Sequence, residues 1–409
     1  MDLFPWFQPI IEIASGRVAG YEALARRYDD NGVVVSAAPL LFAEALAPEA
    51  RLELDRTIRR QALARFAAEA APDQFLTLNL SPEWIDALHP DEPLPTLAMI
   101  REYGIDPARV VVEITELGGD VAQIGALAER YREAGVKVAF DDFGAGFQQL
   151  DRLLVFTPDI IKLDMRMFQD ERWSHRKSAL MQLVGDIGAR LGARVVCEGV
   201  ETDEEFMLAL HCNASYIQGY IFSPARAQFM PAQAQQARLN RLLSQHLDMA
   251  MNEVTQRQWH MQHLHTQLLG LRDQLQSAGV DLALNNYCPE PGLLRLYLCN
   301  RTGEQISANY CFTQGRWQQD ASVVGNNWSW RPYFYQLVSS ADYARAVLRS
   351  SAYVDIETGR RCYTISLALD EQRVLLVDML DEVDETCPMS LLADCNSDLM
   401  ALPFASASL

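Results

Sequence analysis

Through its first 230 residues the chain alternates short β-rich apolar runs with amphipathic stretches. The runs are FQPIIEI (7–13), VAGYEAL (18–24), FLTLNL (75–80), VVVEIT (110–115), KVAFDD (137–142), IIKLD (160–164), RVVCEG (194–199) and YIQGYIF (216–222). Between them lie helix-period segments such as VAQIGALAERYREAG (121–135) and ALMQLVGDIGARLGA (179–193). Eight strands alternating with helices predict an α/β fold built on a (β/α)8 TIM-like barrel. The tight turn at Ser15–Gly16 predicts that the first two strands are antiparallel, a departure from the regular barrel.

After residue 230 the pattern changes. Gly and Pro become rare, and apolar residues recur in steps of three and four at Leu239, Leu243, Leu247, Met251, Val254, Met261, Leu264, Leu268, Leu271 and Leu275. This predicts a long amphipathic helix, packed on its own barrel or paired with its twin in a homodimer. His260, His263 and His265 on it are not spaced as a metal pair. From about Gly292 the pattern is strand-like again. LLRLYLCN (293–300) and EQISANYCF (304–312) flank a turn at Arg301–Gly303, and CYTISLAL (362–369) and RVLLVDML (373–380) flank another. A small α+β domain with a mostly antiparallel sheet is expected. The domain reading is therefore 1–230 barrel, 231–280 linker helix, 281–385 small domain and 386–409 polar tail.

Composition narrows the picture. The chain has 409 residues and a net charge of −19. Such a surface argues against nucleic-acid polymers and anionic membranes, although a small phosphodiester can bind where metal ions neutralise it. The eight cysteines form no C-x-x-C pair, which reads as reduced thiols in a cytoplasmic protein. The N-terminus lacks the layout of a signal peptide, and no run of about 18 apolar residues suggests a membrane span.

The chemistry lies at the strand ends. Barrel enzymes place working groups at the C-terminal ends of their strands. By that rule the rim receives Glu22, Asn79, Glu113, Asp141, Asp142, Lys162, Glu198 and Gln218. Each alone reads as a helix cap or a surface charge. Together, several acids on one rim would repel each other without cations. Oxygen donors with no thiolate or imidazole select Mg²⁺ or Mn²⁺. Adjacent Asp141 and Asp142 allow a two-ion site of the kind used for phosphodiester hydrolysis.

The words E-A-L (22–24), N-L-S (79–81), E-I-T-E (113–116), D-D-F-G (141–144), K-L-D (162–164), E-G-V-E (198–201) and Q-G-Y (218–220) occur in this order. Over roughly residues 3–230 the set resembles the EAL-domain family of cyclic di-GMP phosphodiesterases. The resemblance implies hydrolysis of cyclic di-GMP to linear pGpG with two Mg²⁺ or Mn²⁺ ions, and inhibition by Ca²⁺. It implies metal ligation by Glu22, Asn79, Glu113, Asp141, Asp142 and Glu198, and catalytic roles for Lys162, Glu198 and Glu22. It also implies substrate contacts from Gln8, Leu24, Arg26 and Gln218, and loop support from Glu116. The family's usual D-D-F-G-T-G-Y-S-S-L reads D-D-F-G-A-G-F-Q-Q-L here (141–150). That change leaves open a weak enzyme, or a cyclic di-GMP receptor without turnover. The stretch N-W-S-W-R-P-Y-F (327–334) and its surroundings resemble the PAS/Cache-like domain that follows the EAL barrel in YkuI-type proteins. This implies a regulatory domain with a possible small ligand, or aromatics that merely fill a small core.

Overall fold

The computed structural model describes residues 3–41, 46–80, 92–114, 121–141, 143, 153, 156–165 and 175–381. Of the expected site, Asp142 and Glu116 lie outside these residues, as do the loop 144–150 and the tail 386–409. Contacts divide the chain into two compact units, Met1–Leu247 and Asp248–Leu409.

The first unit is a closed barrel of eight strands. They are β1 (Leu3–Glu12), β2 (Val18–Tyr28), β4 (Phe75–Asn79), β5 (Val110–Ile114), β6 (Lys137–Phe140), β7 (Ile160–Asp164), β8 (Arg194–Glu198) and β9 (Tyr216–Ile217); a short β3 (Val34–Ser36) pairs onto the outer end of β2. Around the ring the order is β1-β9-β8-β7-β6-β5-β4-β2, and β1–β2 pairing closes it. From β2 through β9 every ring pairing is parallel, whereas β1 is antiparallel to both neighbours. The Ser15–Gly16 turn makes this reversal possible. Gly16 adopts φ 70°, and a side chain there would press on Gln236, so glycine is required on two counts.

Parallel strands covered on both sides should be apolar throughout. VVVEI of β5 is buried at every position, Glu113 included. An inner layer of Ile10, Val111, Ala139, Ile160, Val196 and Tyr216 fills the barrel beneath the rim. Outside, Pro48–Glu69, Pro95–Glu102, Val121–Glu133, His175–Leu191 and Asp203–His211 are helical. Two expectations were too long. The run 216–222 is a strand for two residues only, because Gly219 and the residues after it turn across the rim. Residues 304–308 form a loop with isolated bridges, and the strand begins at Asn309.

A helix of 43 residues, Gln236–Ala278, belongs to both units. In the first, Leu239 and Leu242 are buried. In the second, Met261, Leu264, Leu268, Leu271 and Leu275 pack on a sheet. That sheet comprises β10 (Leu293–Asn300), β11 (Asn309–Thr313), β12 (Arg316–Asp320), β13 (Val347–Arg349), β14 (Tyr353–Val354), β15 (Arg361–Ala368) and β16 (Arg373–Leu380). Its order is β12-β11-β10-β16-β15-β13, with β14 beside β15, and every pairing is antiparallel. Period-two alternation sorts its two faces. Leu296, Leu298, Leu375 and Val377 meet the long helix, whereas Tyr297, Cys299, Val374 and Leu376 meet the short helix Pro332–Val338. The W-S-W-R-P-Y-F stretch thus leads into a helix whose Tyr333 and Phe334 fill a core. No described helix is long and apolar enough to cross a membrane.

Candidate active site at the strand ends

Strand alternation gathers the first side chains. In β2, residues two apart share a face, so Glu22, Leu24 and Arg26 line one side. The antiparallel register sets Gln8 opposite Glu22, Trp6 opposite Leu24 and Phe4 opposite Arg26, and directly opposed residues project to the same side. Gln8 therefore joins the E-A-L-A-R row. The parallel ladders bring up the rest. Asn79 pairs with Glu113, and Asp164 with Glu198.

Lys162 stands at the centre. Its side chain is 2% exposed, and its Nζ lies 2.6 Å from Glu198 Oε1, 2.8 Å from Glu113 Oε1, 3.1 Å from Asp141 Oδ1 and 3.8 Å from Glu22 Oε1. Glu22 is oriented by two amides. Asn79 Nδ2 donates to its Oε1 at 2.9 Å, and Gln218 Nε2 to its Oε2 at 2.5 Å. Both amides thereby keep their carbonyl oxygens free for another partner.

One ammonium among four buried carboxylates cannot hold them all ionised. Burial pushes the Glu113 carboxyl up to about 8, helped by Glu22 and Asp141 and opposed by Lys162. Burial likewise holds Glu198 well above the carboxylate range. For Glu22 burial is outweighed by Lys162 and the two amides, and its value falls. Burial also works against the Lys162 charge, but the four acids win and keep it firmly protonated.

This imbalance bears on metal binding. Glu113 Oε1 and Oε2, Asp141 Oδ1, Glu198 Oε1 and Gln218 Oε1 are buried without a well-aligned hydrogen bond. Buried oxygens in surplus over donors suit a hard divalent cation. No three acids, histidines or cysteines among the described residues stand as a preformed metal shell. The acids gather around the Lys162 ammonium. Cations entering would compete with Lys162 for them, and the donor set fits Mg²⁺ or Mn²⁺.

Arg26 is half-buried, donates to the Ala25 carbonyl, and has its pKa lowered chiefly by burial. Tyr220, 65% exposed, is near enough to act on that charge. Trp6 and Tyr220 are aromatic neighbours of the row that strand-end reasoning passed over. For Trp6 the signal was available as the two-residue alternation through Gln8.

The comparisons with known proteins agree with this geometry. The EAL domain model matches residues 1–225, and that of an EAL-domain associated signalling protein domain matches 232–383. The EAL-domain containing protein YkuI of Bacillus subtilis is 28% identical over 392 residues, covering 92% of this chain and 94% of YkuI. The crystal structure of YkuI in complex with substrate c-di-GMP and calcium matches at a TM-score of 0.83 and 27% identity, over 93% of this chain and 96% of that one. The cyclic di-GMP phosphodiesterase RocR of Pseudomonas aeruginosa is 31% identical over 221 residues, 53% of this chain and 56% of RocR.

Proposed function

Because the chain belongs to the EAL-domain family, with an EAL-associated signalling domain behind the barrel, we propose that it hydrolyses cyclic di-GMP to linear pGpG in bacterial second-messenger signalling. The observation that carries this reading is the surplus of buried carboxylate and amide oxygens around Lys162. Likeness to YkuI along nearly its whole length, and to the phosphodiesterase RocR over about half of each chain, supports it.

In this reading Glu22, Asn79, Glu113, Asp141, Asp142 and Glu198 would hold two Mg²⁺ or Mn²⁺ ions. Such ions lower the pKa of bound water and offset the negative charge of the phosphodiester. Gln8, Leu24 and Arg26 bind the dinucleotide, with Arg26 opposite a phosphate. Lys162 Nζ donates to the attacking water oxygen and faces the charge that grows on the phosphoryl oxygens. Glu198, as a carboxylate, takes the water proton; the P–O3′ bond breaks and that proton passes to the leaving oxygen. Gln218 and Asn79 keep Glu22 in position. Glu116 supports the 141–150 loop. Calcium, larger and looser in its coordination, binds without supporting turnover. The protein acts in the cytoplasm as a homodimer, and its C-terminal domain regulates the barrel, through a small ligand if it binds one.

The altered sequence D-D-F-G-A-G-F-Q-Q-L favours a second reading, a cyclic di-GMP receptor with slow or absent turnover. A product assay separates the two. Purified protein with Mg²⁺ or Mn²⁺ should release pGpG, Ca²⁺ should not support release, and Glu22→Ala should lower the rate by about 10³-fold or more. Cyclic di-GMP binding with no product in any metal would overturn the enzyme and leave the receptor.

A further inference from the structure

The start of the long helix is tied to the two segments that follow Glu198 and Gln218. These segments are already stitched to each other. Gln218 N donates to Cys197 O at 2.9 Å, Val200 N to Gln218 O at 3.3 Å, and Ile221 N to Val200 O at 3.0 Å. The seam has no slack. A Cβ on Gly219 would sit 1.9 Å from the Val200 carbonyl oxygen.

Arg238, in the first turn of the Gln236–Ala278 helix, reaches both sides of that seam. Its Nε donates to Ile221 O at 3.0 Å, three residues beyond Gln218. Its Nη2 donates to Asp203 Oδ1 at 2.9 Å, at the start of the helix that follows Glu198. Gln235 Nε2 adds a bond to Phe222 O at 3.0 Å. That following helix begins with a capping box in which Thr202 and Glu205 satisfy each other's backbone, so Asp203 stands on a fixed platform. Eight residues further along each helix a second rung appears. The rings of His211 and His246 meet edge to face with centroids 5.5 Å apart. Equal spacing on both helices means that they run side by side in the same direction, joined by two rungs about 12 Å apart.

We propose that Arg238 is a positioning residue: through Ile221 and Asp203 it holds the segments after Glu198 and Gln218 in register, so that a shift of the long helix is read at those two side chains. The rung is about half exposed, at 36% and 47% for the two side chains, so it adds little to overall stability. Its effect is on geometry. Losing it frees the seam while the barrel strands stay paired. The proposal rests on the hydrolysis reading for its catalytic consequence, but the seam can be followed without turnover.

The test uses the full-length protein as wild type, Arg238→Gln, Arg238→Lys and Asp203→Asn. Three quantities are measured: kcat and KM for cyclic di-GMP with Mn²⁺, the Kd for cyclic di-GMP with Ca²⁺, and amide hydrogen exchange. Arg238→Gln should lower kcat about tenfold and leave KM and Kd within about twofold, as loss of a supporting contact does. Exchange at Val200 and Ile221 should rise about tenfold, with Leu78 and Val112 unchanged. Asp203→Asn should give a smaller effect of the same kind, and Arg238→Lys should recover most of the loss. Exchange rising equally across the barrel would reduce Arg238 to a structural role. Wild-type exchange at Val200 and Ile221 in Arg238→Gln would overturn the clamp. A wild type that releases no pGpG sinks the hydrolysis reading, and exchange then decides on the clamp alone.

Discussion

The single charge of Lys162 answers four carboxylates. Breaking a buried ion pair by removing one partner leaves charges that nothing compensates, at a cost of about 3–5 kcal/mol. Lys162→Met should therefore destabilise the metal-free barrel, and the penalty should grow with pH. The sign follows from the acids. A carboxyl whose folded pKa is raised binds protons more tightly folded than unfolded, so folding weakens as pH climbs towards the raised value. Glu113 already stands at about 8, and removing Lys162 raises it further. Urea unfolding at pH 5 and pH 8 should show the larger loss at pH 8, partly restored by millimolar Mn²⁺; a larger loss at pH 5 would show that the acids are not what Lys162 holds. The ligand-type residues were legible in the sequence because each ends an apolar run. The role of Lys162 as hub was not. A lysine in I-I-K-L-D gives no hint that four acids from other strands converge on it. Gln8 and Arg26 came only from family resemblance, and the β1–β2 register sets both on the face that Glu22 occupies.

At the scale of elements, the long helix shows what periodicity can and cannot convey. Its stripe reads as one continuous face, and the helix is there from Gln236 to Ala278. Burial divides the stripe into three parts. Leu239 is buried in the first unit, Leu264 and Leu268 in the second, and between them Leu247, Met251 and Val254 are exposed. Sequence spacing gives the face of each residue but not the partner that covers it. The consequence is measurable. Leu268→Ala empties a packed site and should cost about 2–4 kcal/mol in the second unit's unfolding. Met251→Ala should stay within about 0.5 kcal/mol, as exposed substitutions do. If the exposed segment is the seam of the proposed homodimer, Met251→Glu should shift sedimentation towards the monomer, and an unchanged sedimentation coefficient would place the dimer contact elsewhere. Strand ends were the least legible elements. β9 stops after two residues because its chain must turn at Gly219, and β11 starts late because 304–308 is held by turn and bridge bonds.

For the whole molecule, two units with separate cores predict two thermal events. Ligand that binds only the folded barrel stabilises it by about 2.7 kcal/mol at a hundredfold excess over Kd. Scanning calorimetry with cyclic di-GMP and Ca²⁺ should move one transition and leave the other in place; equal movement of both would mean that the units unfold as one. The (β/α)8 alternation, the reversed first strand and a separate small domain were all readable in advance, since period and turn chemistry are local properties. The clamp at Arg238 was not, because it joins positions 203, 221 and 238 that only the folded barrel makes neighbours.

Among the described residues, the second unit's first strand pairs with its last. Leu293 faces Met379, and Leu380 N donates to the Gly292 carbonyl. The chain thus comes into this sheet and goes out of it at one place. A sheet whose first and last described strands are neighbours leaves its other turns free to change in length and sequence without moving that shared anchor. Substitutions and insertions can then gather at those turns while the anchor stays as it is.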